Sequence, residues 1–381
     1  MTRIQAIHDH WNYPAVPGVD ADHCVNSWPG GEKTNPNPAG FPFSVEASLD
    51  VPLPDETLLL YSQGSLSAGN LQITTSPEIS GIARVHVVVH YYKKYIRDQA
   101  LICMIGREKD ELGVGIFSPQ YRRDHIESRT DRLFFDVVLT LPRDTYPLYI
   151  NRLLTNVNNF EQDVESLKDI INFGDFDLRG TNGRIHTKSY LVSWSTIART
   201  RNAPIIGTYK SAHSVDLGTT NARIDVQVDI DAGSSKDLKT ISLQTTNDPL
   251  SANIGLSTKS GSGGNFRVKA ATANGALTAN VSSLPLNATL AVSGTTSNHA
   301  ATLNLPSTYE GDFDIRTTNA PLLVQRRNPH ERDPASLGRK RTMQASTYKG
   351  KTVGNVYWDQ KAAHRGNVAL RTTNGVASLN L

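Results

Sequence analysis

Eight asparagines recur in one setting from residue 182 onward in this 381-residue chain: Asn182, Asn202, Asn221, Asn247, Asn274, Asn298, Asn319 and Asn374. Thr stands two places before each of them except the first, where Gly180 does. Apolar residues sit six and four places before, as in Val215/Leu217, Ile241/Leu243, Phe313/Ile315 and Val368/Leu370. They return three, five and seven places after, as in Ile224/Val226/Val228, Leu250/Ala252/Ile254 and Ala377/Leu379/Leu381. Such alternation predicts strands with one buried face. The parity changes across the Asn, so an unbroken strand would turn its second half inside out. One residue must break the period at a corner, and Asn tolerates the left-handed backbone that a corner of this kind is expected to need. A two-residue hairpin would demand positive φ at the following position as well. Ala203, Ala222 and Ala320 stand there and suit it poorly.

The steps from Asn182 to Asn319 are 20, 19, 26, 27, 24 and 21 residues, the size of a solenoid coil. The expected fold is all-β: a parallel β-solenoid of about eight short coils behind a strand-rich, sandwich-like N-terminal cap. Stacked corners would align the Asn amides into a ladder, with the Thr hydroxyls bonding the corner backbone. The last step is 55 residues and holds a basic insertion at 325–351. Its eight Lys and Arg against two acids give +6, which leaves −3 for the rest of a chain whose net charge is +3. Leu381 ends the last coil, an expected open edge where two chains could meet.

Upstream, residues 1–42 are rich in Pro and Gly and read as a loose arm. A strand-rich domain or cap is expected over 43–150, from runs such as FSVEASLDV, TLLLYS, ARVHVVVHY and LFFDVVLTL. The solenoid takes 151–381. Phe160, Val164, Leu167 and Ile171 have helical spacing and predict one short helix before the first coil. Cys24 and Cys103 are too few for a disulfide framework and carry no sign of pairing. The N-terminus shows no apolar signal core and no run approaches a membrane span, so the cytoplasm is the default compartment.

The TTN corners and the closing LRTTNGVASLNL resemble the putative-adhesin family of β-solenoids. The run GVGIFSP at Gly113–Pro119 and the Leu141–Pro142 pair are similar to those of a related fungal domain of unknown function. The resemblance covers roughly 43–381. It implies an adhesin-like binding protein and supplies no catalytic residues.

Function is read against the needs of catalysis. A glycosidase needs two carboxylates across the scissile bond. Two places after each Asn stand Arg184, Pro204, Arg223, Pro249, Ala276, Ala300, Pro321 and Val376, with no carboxylate column. His8, Asp9, His10, Asp20, Asp22, His23 and Cys24 have metal-ligand side chains but match no closed zinc spacing. VDIDAG at Val228–Gly233 lacks the later carboxylates of an EF-hand. No catalytic, cofactor or metal site is therefore assigned. The expected role is a non-catalytic scaffold that binds a protein or polysaccharide surface through a face or an open end. The alternatives are a carbohydrate-binding or carbohydrate-active solenoid, and an anion or nucleic-acid binder through Arg326, Arg327, Arg339, Lys340 and Arg341. Sequons lie at Asn280 and Asn287 and matter only in a secreted chain.

Overall fold

Short β-branched and aromatic runs separated by Gly, Asn, Asp and Pro leave this chain little option but strands. A computed structural model describes residues 20–25, 28, 30–34, 40–107, 110–119, 130–328 and 330–381. They divide into two compact units, Met1–Ser189 and Tyr190–Leu381.

In the second unit the arms of successive coils stack into two parallel sheets, joined as one by the long strand Ile205–Gly218, which pairs with both Ile224–Asp231 and Leu238–Gln244. The Asn247 coil runs Leu238–Gln244, turns, and continues as Leu250–Ser257; the Asn274 coil runs Asn265–Ala271 and then Leu277–Ser283. Neighbouring coils pair in parallel register, Ile224 with Leu250, Leu250 with Leu277 and Leu277 with Ala301. The inward positions (Ile241, Leu243, Leu250, Ala252, Ile254, Val268, Leu277, Val292, Leu303) are all buried and form the core between the sheets. The coils are wound, not folded as hairpins.

The stacking order departs from the sequence order. The Asn374 coil, Gly366–Arg371 and Ala377–Asn380, lies between the Asn298 coil (Thr289–Thr295, Ala301–Asn304) and the Asn319 coil (Gly311–Arg316, Leu322–Gln325). Leu381 is therefore 3% exposed and bonded on both backbone groups, to Gln325 and Arg327, so the open edge expected at this residue is absent. The outermost strand of that sheet is Leu322–Gln325. In the other sheet an antiparallel hairpin, Thr342–Tyr348 with Lys351–Tyr357, extends from Gly311–Arg316.

In the first unit the solenoid begins earlier than the repeat suggests. Thr57–Gln63 and Gly69–Ser76 form a coil, flanked in parallel by Glu111–Phe117 with Leu133–Pro142 and by Leu148–Val157 with Phe160–Val164. Ile171–Arg179 follows in register on Leu148–Val157. Antiparallel strands cap the far end: Leu101–Gly106 and Asp20–Val25 on one sheet, Ile82–Tyr91, Phe43–Pro52 and Lys33–Thr34 on the other. Two pieces of the Pro/Gly-rich arm are thus strands of the sheets.

Three expectations are corrected. Phe160–Val164 is a strand, because Phe160 and Val164 face the core at even spacing while Gln162 hides there by accepting from the Thr155 hydroxyl at 2.6 Å. Cys24 and Cys103 form a disulfide: Asp20–Val25 and Leu101–Gly106 are antiparallel neighbours, a pairing that leaves no local trace at a separation of 79 residues. None of the eight corner asparagines has positive φ. The glycines that follow three of them answer a close approach instead: a Cβ at Gly275 or Gly375 would lie about 2 Å from the carbonyl oxygen of Asp248 or His299 on the neighbouring coil.

Candidate functional site

The corner is a coil-to-coil hydrogen-bonding device. In the second unit the buried Thr hydroxyl donates to the carbonyl of the residue after the neighbouring coil's Asn. Thr245 reaches Ala222 at 2.8 Å, Thr272 reaches Asp248 at 3.1 Å, Thr296 reaches Gly275 at 2.9 Å and Thr372 reaches His299 at 3.1 Å. Outside it the Asn amides run as one chain of donors and acceptors. Asn221 donates to Asn202, Asn247 to Asn221, Asn274 to Asn247, Asn298 to Asn274, Asn374 to Asn298 and Asn319 to Asn374, each at 2.6–2.9 Å. In the first unit Asn182 donates to Asn159 at 2.6 Å. Asn159 is a further corner, hidden from repeat matching because Thr155 and Gln162 occupy its inward positions.

The same register builds a second surface. Four and six places beyond the corner, outward positions of the second-arm sheet align as Ser251, Thr278, Thr302, Ser378 and as Asn253, Asn280, Asn304, Asn380. Asn280 donates to Asn253 at 2.8 Å and Asn380 to Asn304 at 2.7 Å. Rungs repeat at about the 4.8 Å strand spacing. Neither column holds a charge; Asp225 lies before the first and Leu323, 44% exposed, after it. The sequence carries this pattern at fixed offsets, visible once alignment on the Asn extends to outward positions.

Several carboxylates elsewhere on the coils are held by basic partners. Asp177, 1% exposed, takes Arg152 and Arg179; Asp163 takes Arg184, and Glu165 takes Lys188 at 2.5 Å. The hydrogen bond from Lys188 holds the Glu165 carboxyl below its ordinary range, and Arg316 does the same for Asp314. In VDIDAG, Asp231 accepts from the Gly233 amide at 3.0 Å, closing a turn. Of the metal-type residues, Cys24 is committed to its disulfide. His8, Asp9 and His10 lie outside the described residues. Among the described residues no three His, Cys, Asp or Glu group suitably for a metal ion. The amide of Asn280 is held in its ladder, whereas Asn287 is exposed in a turn at φ 58°.

The basic insertion is built around an acid. The Asp333 carboxylate accepts from the amides of Ala335, Leu337 and Arg339 and from the Arg339 guanidinium at 2.8 Å. That guanidinium holds its carboxyl far below the usual range. Arg341 is 3% exposed, bonded to Glu331 and to the Tyr309 carbonyl, beneath the Trp358 ring. Two of the five candidate anion-binding residues are therefore spent inside the fold. Arg327 and Lys340 are exposed, and Arg326 is half-buried.

No family model matches the chain, and no curated protein matches it. Among solved structures, a "putative cell adhesion protein" of Clostridium sporogenes is similar at 9% identity and a TM-score of 0.21, over 88% of this chain and 99% of that one. A "putative adhesin" of Bacteroides fragilis is similar at 10% identity and a TM-score of 0.28, over 88% of this chain and 96% of that one.

Proposed function

We propose that this chain is a non-catalytic, adhesin-like scaffold that holds an uncharged polymer surface, a polysaccharide, against the outer face of its second-arm sheet. The two uncharged columns Ser251–Thr278–Thr302–Ser378 and Asn253–Asn280–Asn304–Asn380 carry the reading. They offer hydroxyls and amides at one repeat, on strands already fixed by the core, so little ordering cost falls on binding. A charged ligand would find nothing within these two columns to pair with. The Cys24–Cys103 disulfide supports the same reading, since such bonds persist mainly outside the reducing cytosol.

Retention on insoluble neutral polysaccharides, with a glycan array beside it, tests this. Thr278→Arg and Thr302→Arg point away from the core and should leave the melting temperature within a few degrees of the parent. They should remove retention. Retention that survives both substitutions, or an unmodified protein that every polysaccharide and glycan fails to hold, rejects the proposal.

A further inference from the structure

The Asn374 coil fills a slot whose two walls are not its neighbours in sequence. On one side Thr296 donates its amide to the Arg371 carbonyl at 3.0 Å, Thr372 its hydroxyl to His299 at 3.1 Å and Asn374 its amide to Ser297 at 2.8 Å. On the other, the Thr317 hydroxyl donates to Gly375 at 3.1 Å and the Asn319 amide to Thr373 at 2.8 Å. The wall is shaped for this occupant. A Cβ on Gly294 would lie 2.7 Å from Leu370 Cδ1, so the missing side chain is the space that Leu370 fills. Val368, Leu370, Ala377 and Leu379 are all fully buried in the slot.

What ties this coil to its own chain is separate from what the slot recognises. The connection 358–365 is fastened by Glu310. Its Oε1 accepts from the amides of Trp358 at 2.8 Å and Asp359 at 3.0 Å, and its Oε2 from Arg365 at 2.9 Å. Freed from that carboxylate, the eight residues of the connection could extend to roughly 26 Å at about 3.3 Å each. The bonds between coil and slot do not depend on that fastening. This is the arrangement in which an element passes readily between identical protomers, because the bonds broken inside one chain re-form between two.

We propose that Gly366–Leu381 is an exchangeable coil, and that the slot between the Asn298 and Asn319 coils accepts this segment from a second copy of the chain as it does from its own. The partner is a second copy, recognised through the corner hydrogen bonds and the Gly294–Leu370 fit. Glu310 sets the balance by holding the connection closed.

The test uses the full chain. Thr302 and Ser378 are register partners, so coil exchange brings Thr302→Cys of one preparation beside Ser378→Cys of another, whereas chance contact of these half-exposed thiols would cross-link preparations folded separately and then mixed just as well. Refolded together at high concentration and oxidised, the pair should give a cross-linked dimer. The doubly substituted chain should close on itself as a monomer. Adding Glu310→Ala to both preparations should raise the dimer fraction several-fold. Light scattering of the unmodified chain supplies a readout free of substitutions: the dimer fraction should grow with refolding concentration. A mixture that stays uncross-linked while the double variant closes overturns the proposal, as does an unmodified chain that is monomeric at every refolding concentration.

Discussion

Thr272 and Asn274 share one corner, yet they contribute unequally. The Asn274 amide is exposed, and water can replace its ladder partners; Asn274→Ala should cost about 0.5–1 kcal/mol. Thr272 is buried and satisfies the Asp248 carbonyl, so Thr272→Val leaves that oxygen unpaired and should cost about 1–3 kcal/mol. Urea unfolding of the two variants ranks them, and equal midpoints would count against the corner as described. The repeat discloses which residues mark the corners. The physical reason differs from the expected one: no corner asparagine has positive φ, and the glycines after Asn182, Asn274 and Asn374 make room for a carbonyl approaching from the next coil. That approach is a meeting of two coils, and a single coil's sequence cannot display it. Asp333 gives a second residue-scale test. Its folded pKa is depressed, so its stabilisation of the loop is complete above the ordinary aspartate value near 4 and fades only as pH falls toward the folded value. Amide exchange at Ala335, Leu337 and Arg339 should stay slow at about pH 4 and quicken below it. In Asp333→Asn it should be fast at every pH.

At the scale of elements, nearly every strand from Phe43 to Leu141 is readable from alternation, while the partner of each strand is not. Glu111–Phe117 pairs with Thr57–Gln63 across an intervening antiparallel excursion, and nothing in either run encodes it. Phe160–Val164 misleads for another reason: Gln162 is buried but polar, so the spacing of the remaining apolar residues imitates a helix. The disulfide closes a loop of 79 residues between two cap strands, for which the chain-entropy model gives roughly 4 kcal/mol. Cys103→Ser should lower the stability of the first unit by about that amount, and reductant should reproduce the loss in the parent, both read by thermal unfolding. Glu310→Ala removes the acceptor for two amides and for Arg365. It should cost about 3 kcal/mol and accelerate amide exchange at Leu370 and Leu379 before exchange at Ala252 and Ile254 of the Asn247 coil.

For the whole molecule, each unit is a stack in which one coil sits out of turn. Glu111–Phe117 with Leu133–Pro142 lies on the outer side of a coil that precedes it, and Gly366–Leu381 lies beneath a coil that precedes it. All coils obey one corner rule, so the rule fixes how two coils stack and leaves open which two. The two uncharged columns have the same origin: a repeat that fixes inward positions also aligns outward ones, and these are legible once counted. The amide column has one more property. In stacking order, from Asn319 through Asn374 and Asn298 to Asn221, every asparagine gives its hydrogen to the next corner toward Asn202, so the small dipoles point one way and the column has a polarity, like a row of magnets laid head to tail. It finishes at Asn319 with an oxygen facing outward. Whatever lengthens the row in the same sense must arrive offering an N–H to that oxygen.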